Sequence, residues 1–208
     1  VGRNLIGLSL VGCSLGTITN SSFSDNQAEE TTHGCLLQKC QDITFLDCSA
    51  SGNLTSLDGG SLARGFEVGD STRITFDGCS VIDLQGATAY ALLARKSRAI
   101  AWYNGFCTNI DGEGSGIFLE SSDQNIVENT IVTRITSDGE RTARAYHTRS
   151  STNNSFINCI AIATLADRIS TAYEVEGDLQ GSIRNCIALN VPASGRSVEC
   201  YGYAFTLD

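Results

Sequence analysis

Hydrophobic residues recur along this chain in short alternating runs, not in the three-and-four spacing of an amphipathic helix. One four-residue phrase repeats: a small residue, an apolar one, any residue, and a second apolar one. It reads Gly7-Leu8-Ser9-Leu10, Gly34-Cys35-Leu36-Leu37, Gly65-Phe66-Glu67-Val68 and Ala89-Tyr90-Ala91-Leu92. It continues as Gly116-Ile117-Phe118-Leu119, Ala145-Tyr146-His147-Thr148, Ala172-Tyr173-Glu174-Val175 and Gly202-Tyr203-Ala204-Phe205, broken only by Thr148. Intervals between starts run from 24 residues (65 to 89) to 31 (34 to 65). Fourteen residues after each start comes Ser21, Cys48, Cys79, Thr130, Cys159 or Cys186, preceded by Asn20, Asp47, Gly78, Asn129, Asn158 or Asn185. In the repeat starting at 89 the equivalent cysteine is displaced by four residues to Cys107, which implies an inserted bulge.

Each period therefore holds short strands broken by Gly, Asn, Asp and Ser. Repetition at constant phase predicts stacked coils about 4.8 Å apart. The expected architecture is all-β: one domain over residues 1–208, a single-stranded right-handed parallel β-helix of about seven coils of about 28 residues. A leucine-rich repeat has a similar period, but its L-x-x-L-x-L frame is missing.

The phrases Asp42-Ile43-Thr44-Phe45-Leu46-Asp47-Cys48, Asn153-Asn154-Ser155-Phe156-Ile157-Asn158-Cys159 and Ser182-Ile183-Arg184-Asn185-Cys186 resemble the parallel β-helix repeats of pectate-lyase-like proteins. They are equally similar to repeats of bacterial surface and phage tailspike proteins. The resemblance spans nearly the whole chain and implies the fold. It implies an asparagine ladder lining a sharp bend, with Asn20 buried in it. It does not select one function, because this superfold hosts lyases, hydrolases, adhesins and structural rods.

Charge and composition narrow the partners. The net charge of −9 argues against nucleic-acid backbones and anionic membranes. No run approaches the roughly 18–20 apolar residues of a membrane helix. Nine cysteines without a C-x-x-C pair fit neither a zinc nor a disulfide framework. Cys48, Cys79, Cys107, Cys159 and Cys186 read as a ladder of small buried side chains. Asn129, Asn158 and Asn185 read as a turn ladder. No cofactor is expected. The acidic pairs Asp111/Glu113 and Asp138/Glu140 are the best calcium candidates, and solvated turns account for them more simply.

Candidate chemistry lies on outward-pointing positions. Two and four residues after each start, Glu120, His147, Arg149, Glu174 and Glu176 fall on three adjacent coils. Carboxylates beside a His or Arg are what acid–base cleavage of a polysaccharide uses. A row of opposite charges on neighbouring strands explains them equally. Trp102, Tyr103 and Phe106, in the repeat with the expected bulge, form a candidate sugar-stacking platform.

Neither end carries a recognisable cap. The chain is thus expected to be a fragment of a longer solenoid, or a subunit that self-associates through the ends of its β-helix. The favoured function is a non-catalytic extracellular or cell-surface rod that assembles end to end or presents loops for adhesion. The alternatives are a pectate-lyase-like polysaccharide lyase or glycoside hydrolase acting on an outer face, and a carbohydrate-binding adhesin module. A polysaccharide or a host cell-surface ligand is the expected external partner.

Overall fold

In a computed structural model of the chain, residues 2–57, 60–137, 142–166, 169–177, 180–189, 196–201 and 206–207 are described. Alternation turns every second side chain inward, and single residues with positive φ turn the corners. Gly12, Lys39, Asp70, Lys96, Ser121, Ser150 and Gly177 make the first corner of successive coils, at φ between 48° and 65°. Asn20, Asp47, Gly78, Asn104, Asn129, Asn158 and Asn185 make the second, at φ between 47° and 64°. Gly, Asn and Asp tolerate this left-handed region best, hence their recurrence in the repeat.

The result is a parallel β-helix with three walls and no helix among the described residues. Strands Gly2–Val11, Ala28–Gln38, Leu62–Gly69, Thr142–Arg149, Ile169–Glu176 and Arg196–Tyr201 form the first wall with the second halves of Ser80–Arg95 and Phe106–Glu120. The second wall is an eight-stranded sheet running from Ser14–Thr19 to Thr206–Leu207. The third contains Ser49–Ser51, the first halves of the two long strands, Ile131–Ser137, Ile160–Ala166 and Ile187–Leu189. Every pairing is parallel, with coils about 27 residues apart over about seven turns.

The small residue that opens each phrase has a steric cause. A Cβ on Gly65 would meet the Val81 side chain across the core and the Ala91 carbonyl of the next coil. Gly or Ala holds this row in the first seven coils. Behind it lies an aromatic core. Phe45 stacks on Phe76 at 5.0 Å, and Trp102 lies 5.1 Å beyond Phe76. Tyr146 and Tyr173 stack at 4.9 Å and 3°. Their hydroxyls donate to the carbonyls of Thr130 and Cys159, so burying them leaves no orphan oxygen.

Three expectations change. The fourth coil opens at Ala91, not Ala89, because Phe66 pairs with Leu92. Residue 105 is then the fourteenth after the start, and no insertion exists. Gly105 takes the cysteine place, since Ile131 N donates to its carbonyl as Phe106 N does to Cys79. A Cβ at Gly105 would collide with the Trp102 indole, which fills the space other coils give to a thiol. Cys107 belongs to a different inward row, between Val81 and Val132.

The asparagines at the second corner are solvent-exposed, Asn20 included, and not buried. They still bond from coil to coil: Asn158 Nδ2 donates to Asn129, and Asn129 Nδ2 to Asn104. In the last coil, Tyr173 pairs with Val198, so the phrase begins at Ser197. The Gly202–Phe205 phrase, Asp138 and Glu140 lie outside the described residues.

Candidate functional site

The outer face of the first wall carries three rows in register. The first reads His33, Arg64, Tyr90, Ser115, Arg144, Thr171. The second reads Leu36, Glu67, Leu93, Phe118, His147, Glu174. The third reads Gln38, Gly69, Arg95, Glu120, Arg149, Glu176. The predicted five, Glu120, His147, Arg149, Glu174 and Glu176, are thus brought together. Correcting the fourth coil adds Arg95 to the third row, and Arg144 joins from the first row.

Most of these charges are consumed by one another. Glu120 accepts from Arg95 Nε at 2.7 Å and from Arg149, while Arg144 donates to Glu174. The Arg149 guanidinium lies 5.1 Å over the Phe118 ring. Phe118 in turn stacks on the His147 imidazole, at 4.3 Å and 1°. Although they point outward, His147 and Glu174 are only 3 % and 4 % exposed. Burial, with Arg144 and Arg149 adding to it, pushes the His147 imidazolium down to about 2, so the ring is neutral. Burial also raises the Glu174 carboxyl above its ordinary range, and Glu176 adds to this while Arg144 opposes it. A carboxyl raised beside a carboxylate is the pairing a glycosidase acid uses. Here it is covered, with no approach for a sugar ring.

A second cluster occupies the first and second outer rows, two to three coils below Phe118. Glu67 Oε2 lies 2.7 Å from His33 Nε2 and 3.0 Å from Arg64 Nη1. Desolvation works against the Glu67 charge, but hydrogen bonding from His33 and the Arg64 charge outweigh it, so its carboxyl is lowered.

The aromatic platform is not formed. Trp102 is fully buried in the core, Tyr103 points out from the second wall and Phe106 from the third. No ligand could stack on all three. The exposed apolar feature lies elsewhere. Phe106, Ile131, Ile160 and Ile187 stand in register along the outer third wall.

The cysteine row is as expected apart from Cys107. Cys48, Cys79 and Cys159 are buried thiols donating to backbone carbonyls. At the row's end Cys186 is half-buried, and hydrogen bonding with Cys159 pulls its thiol down to about 6. Two further ladders went unread in the sequence. At the first corner, Ser71, Ser97, Ser122 and Ser151 each accept the N–H of the row member one coil below and donate to the carbonyl two residues back. Asn26–Asn53 and Asn125–Asn154 are the amide pairs that point inward, with Asn53, Asn125 and Asn154 fully buried. Both recur at the coil period, so self-comparison for polar residues would have found them.

No protein-family model matches the sequence, and no curated protein matches it. Among solved structures the chain is similar to endo-xylogalacturonan hydrolase from Aspergillus tubingensis, with 10% identity over 96% of this chain and 78% of that one and a TM-score of 0.30. It is similar to QnrB1, a plasmid-mediated fluoroquinolone resistance protein, with 9% identity over 92% and 93% of the two chains and a TM-score of 0.30. For the catalytic domain of a GH87 α-1,3-glucanase the values are 10%, 88%, 49% and 0.23.

Proposed function

We propose that this protein is a non-catalytic structural rod of the cell surface whose copies stack end to end. The observation that carries the reading is the parallel stack itself: every strand pairing among the described residues is parallel, coil on coil, and the outward charges of its first wall are bonded to one another or covered, not open to a substrate. A solenoid of this kind grows by adding coils along one axis, and head-to-tail contact between copies propagates into an open filament.

The polysaccharide-cleaving reading draws less support, because the carboxyl it needs, Glu174, is covered and bonded to Arg144. Light scattering and negative-stain microscopy across concentration test the rod. Filaments one β-helix wide, with an axial repeat of roughly 34 Å (seven coils at about 4.8 Å), are the expected result. A monomer at every concentration would sink it.

A further inference from the structure

We propose that His147, Glu174 and Glu176 form a binding site for one divalent transition-metal ion of the zinc type, joining the sixth coil to the seventh. The three side chains come from two adjacent strands of one rigid wall. His147 lies directly opposite Glu174 in the register, and Glu176 follows Glu174 on the same face. Their ligand atoms all lie within 4.8 Å of one another. Independently of the two acids, the imidazole points to a missing partner. His147 Nε2 is buried without a hydrogen bond, and the nearest carboxylate oxygen, on Glu176, is 3.7 Å away. That is too far for a hydrogen bond. A buried polar atom left without a partner is costly, and a coordinated ion would remove that cost.

The chemistry of the donors selects the ion. Imidazole nitrogen with two carboxylate oxygens suits zinc and its first-row neighbours, whereas calcium and magnesium prefer all-oxygen shells. Arg144 holds one Glu174 oxygen, and the Glu174 and Glu176 carboxyl groups lie close enough to share one ion with the imidazole. Bonds of about 2.0–2.2 Å require the donors to close up. Glu176, whose side chain is 35% exposed, has the freedom to do so and marks the entrance. The His33 cluster, in the first and second outer rows, has no such gap, because His33 Nε2 lies 2.7 Å from Glu67 Oε2 and Arg64 meets the same oxygen.

This inference does not depend on filament formation. The test uses the full chain stripped with chelator, titrated with Co²⁺ and Zn²⁺ by absorption and calorimetry. The expected result is one ion per chain, with cobalt d–d bands and no thiolate charge-transfer band, and a thermal midpoint that rises with Zn²⁺. H147Q should abolish binding, and E176Q should weaken it at least about tenfold, which is about 1.4 kcal/mol. C186S should leave it unchanged. Circular dichroism of E176Q, a change at a partly exposed site, checks folding. Absence of saturable binding overturns the proposal. So does a folded E176Q that binds like wild type, or a thiolate band that C186S removes.

Discussion

Two histidines sit on the same outer face of one wall, each beside a glutamate and an arginine, and their surroundings resolve differently. At His33 the arginine and the imidazole both point at Glu67, whose carboxylate accepts from both. At His147 the arginine donates to Glu174 while the imidazole nitrogen faces Glu176 across a gap. The first cluster's carboxyl is held low and the second's is raised. Similar residue types on one wall thus leave Nε2 of the histidine bonded to an acid in one place and unbonded in the other. The difference is whether the arginine and the histidine meet the same acid or two different ones.

Substitutions can break that contrast. The largest effect is expected from E67A, which leaves the buried Arg64 cation without its carboxylate; urea unfolding should show a loss of about 3 kcal/mol. Acid titration of stability comes next. His147 has a folded value near 2 against 6.5 for the free side chain, so the unfolded state binds more protons between them. Stability must therefore fall as pH drops below 6.5, by up to about 1.4 kcal/mol per unit. H147F keeps a ring on Phe118 but cannot titrate, so its stability between pH 6.5 and 5.5 should be flatter than wild type; parallel curves would refute the neutral imidazole.

A smaller effect separates the two glutamates at neutral pH. Glu67 is lowered, so its contribution is present above about 4.5 and is lost as pH falls through its folded value. Glu174 is raised, so its contribution is present below about 4.5 and is lost as pH rises through its folded value. E67Q should destabilise at pH 7, whereas E174Q should lie within about 1 kcal/mol of wild type or slightly above it. Thermal melts of the pair decide this. The smallest change is expected for R149A. Its half-exposed ion pair with Glu120 is worth about 0.5 kcal/mol, and a loss several times larger would mean that the guanidinium seals the Phe118–His147 stack.

Much of the fold was legible because period-two alternation and a repeating corner residue are local properties. The fourth coil was misread because Ala89-Tyr90-Ala91-Leu92 and Ala91-Leu92-Leu93-Ala94 both satisfy the same phrase. Only the pairing of Leu92 with Phe66 chooses between them. That two-residue slip created a bulge that does not exist, placed Cys107 in the wrong row and hid Arg95. The pair Asn104-Gly105, at the usual corner offset from Ala91, was the available signal. Trp102 was misplaced for the same reason, since an inward position in the true register became an exposed one in the assumed register.

The sequence by itself determined that the chain coils, the average length of a coil and, outside the misread fourth and last coils, which residues of each phrase face in or out, because corner conformation and alternation depend on near neighbours. It also placed Glu120, His147, Arg149, Glu174 and Glu176 on one face. Only the tertiary structure decided which outward groups are covered, which arginine meets which acid, and which histidine nitrogen is left without a partner. Those contacts join residues one coil apart, 25 to 34 positions in sequence. A slip of two residues exchanges one set of neighbours for another without changing the local pattern.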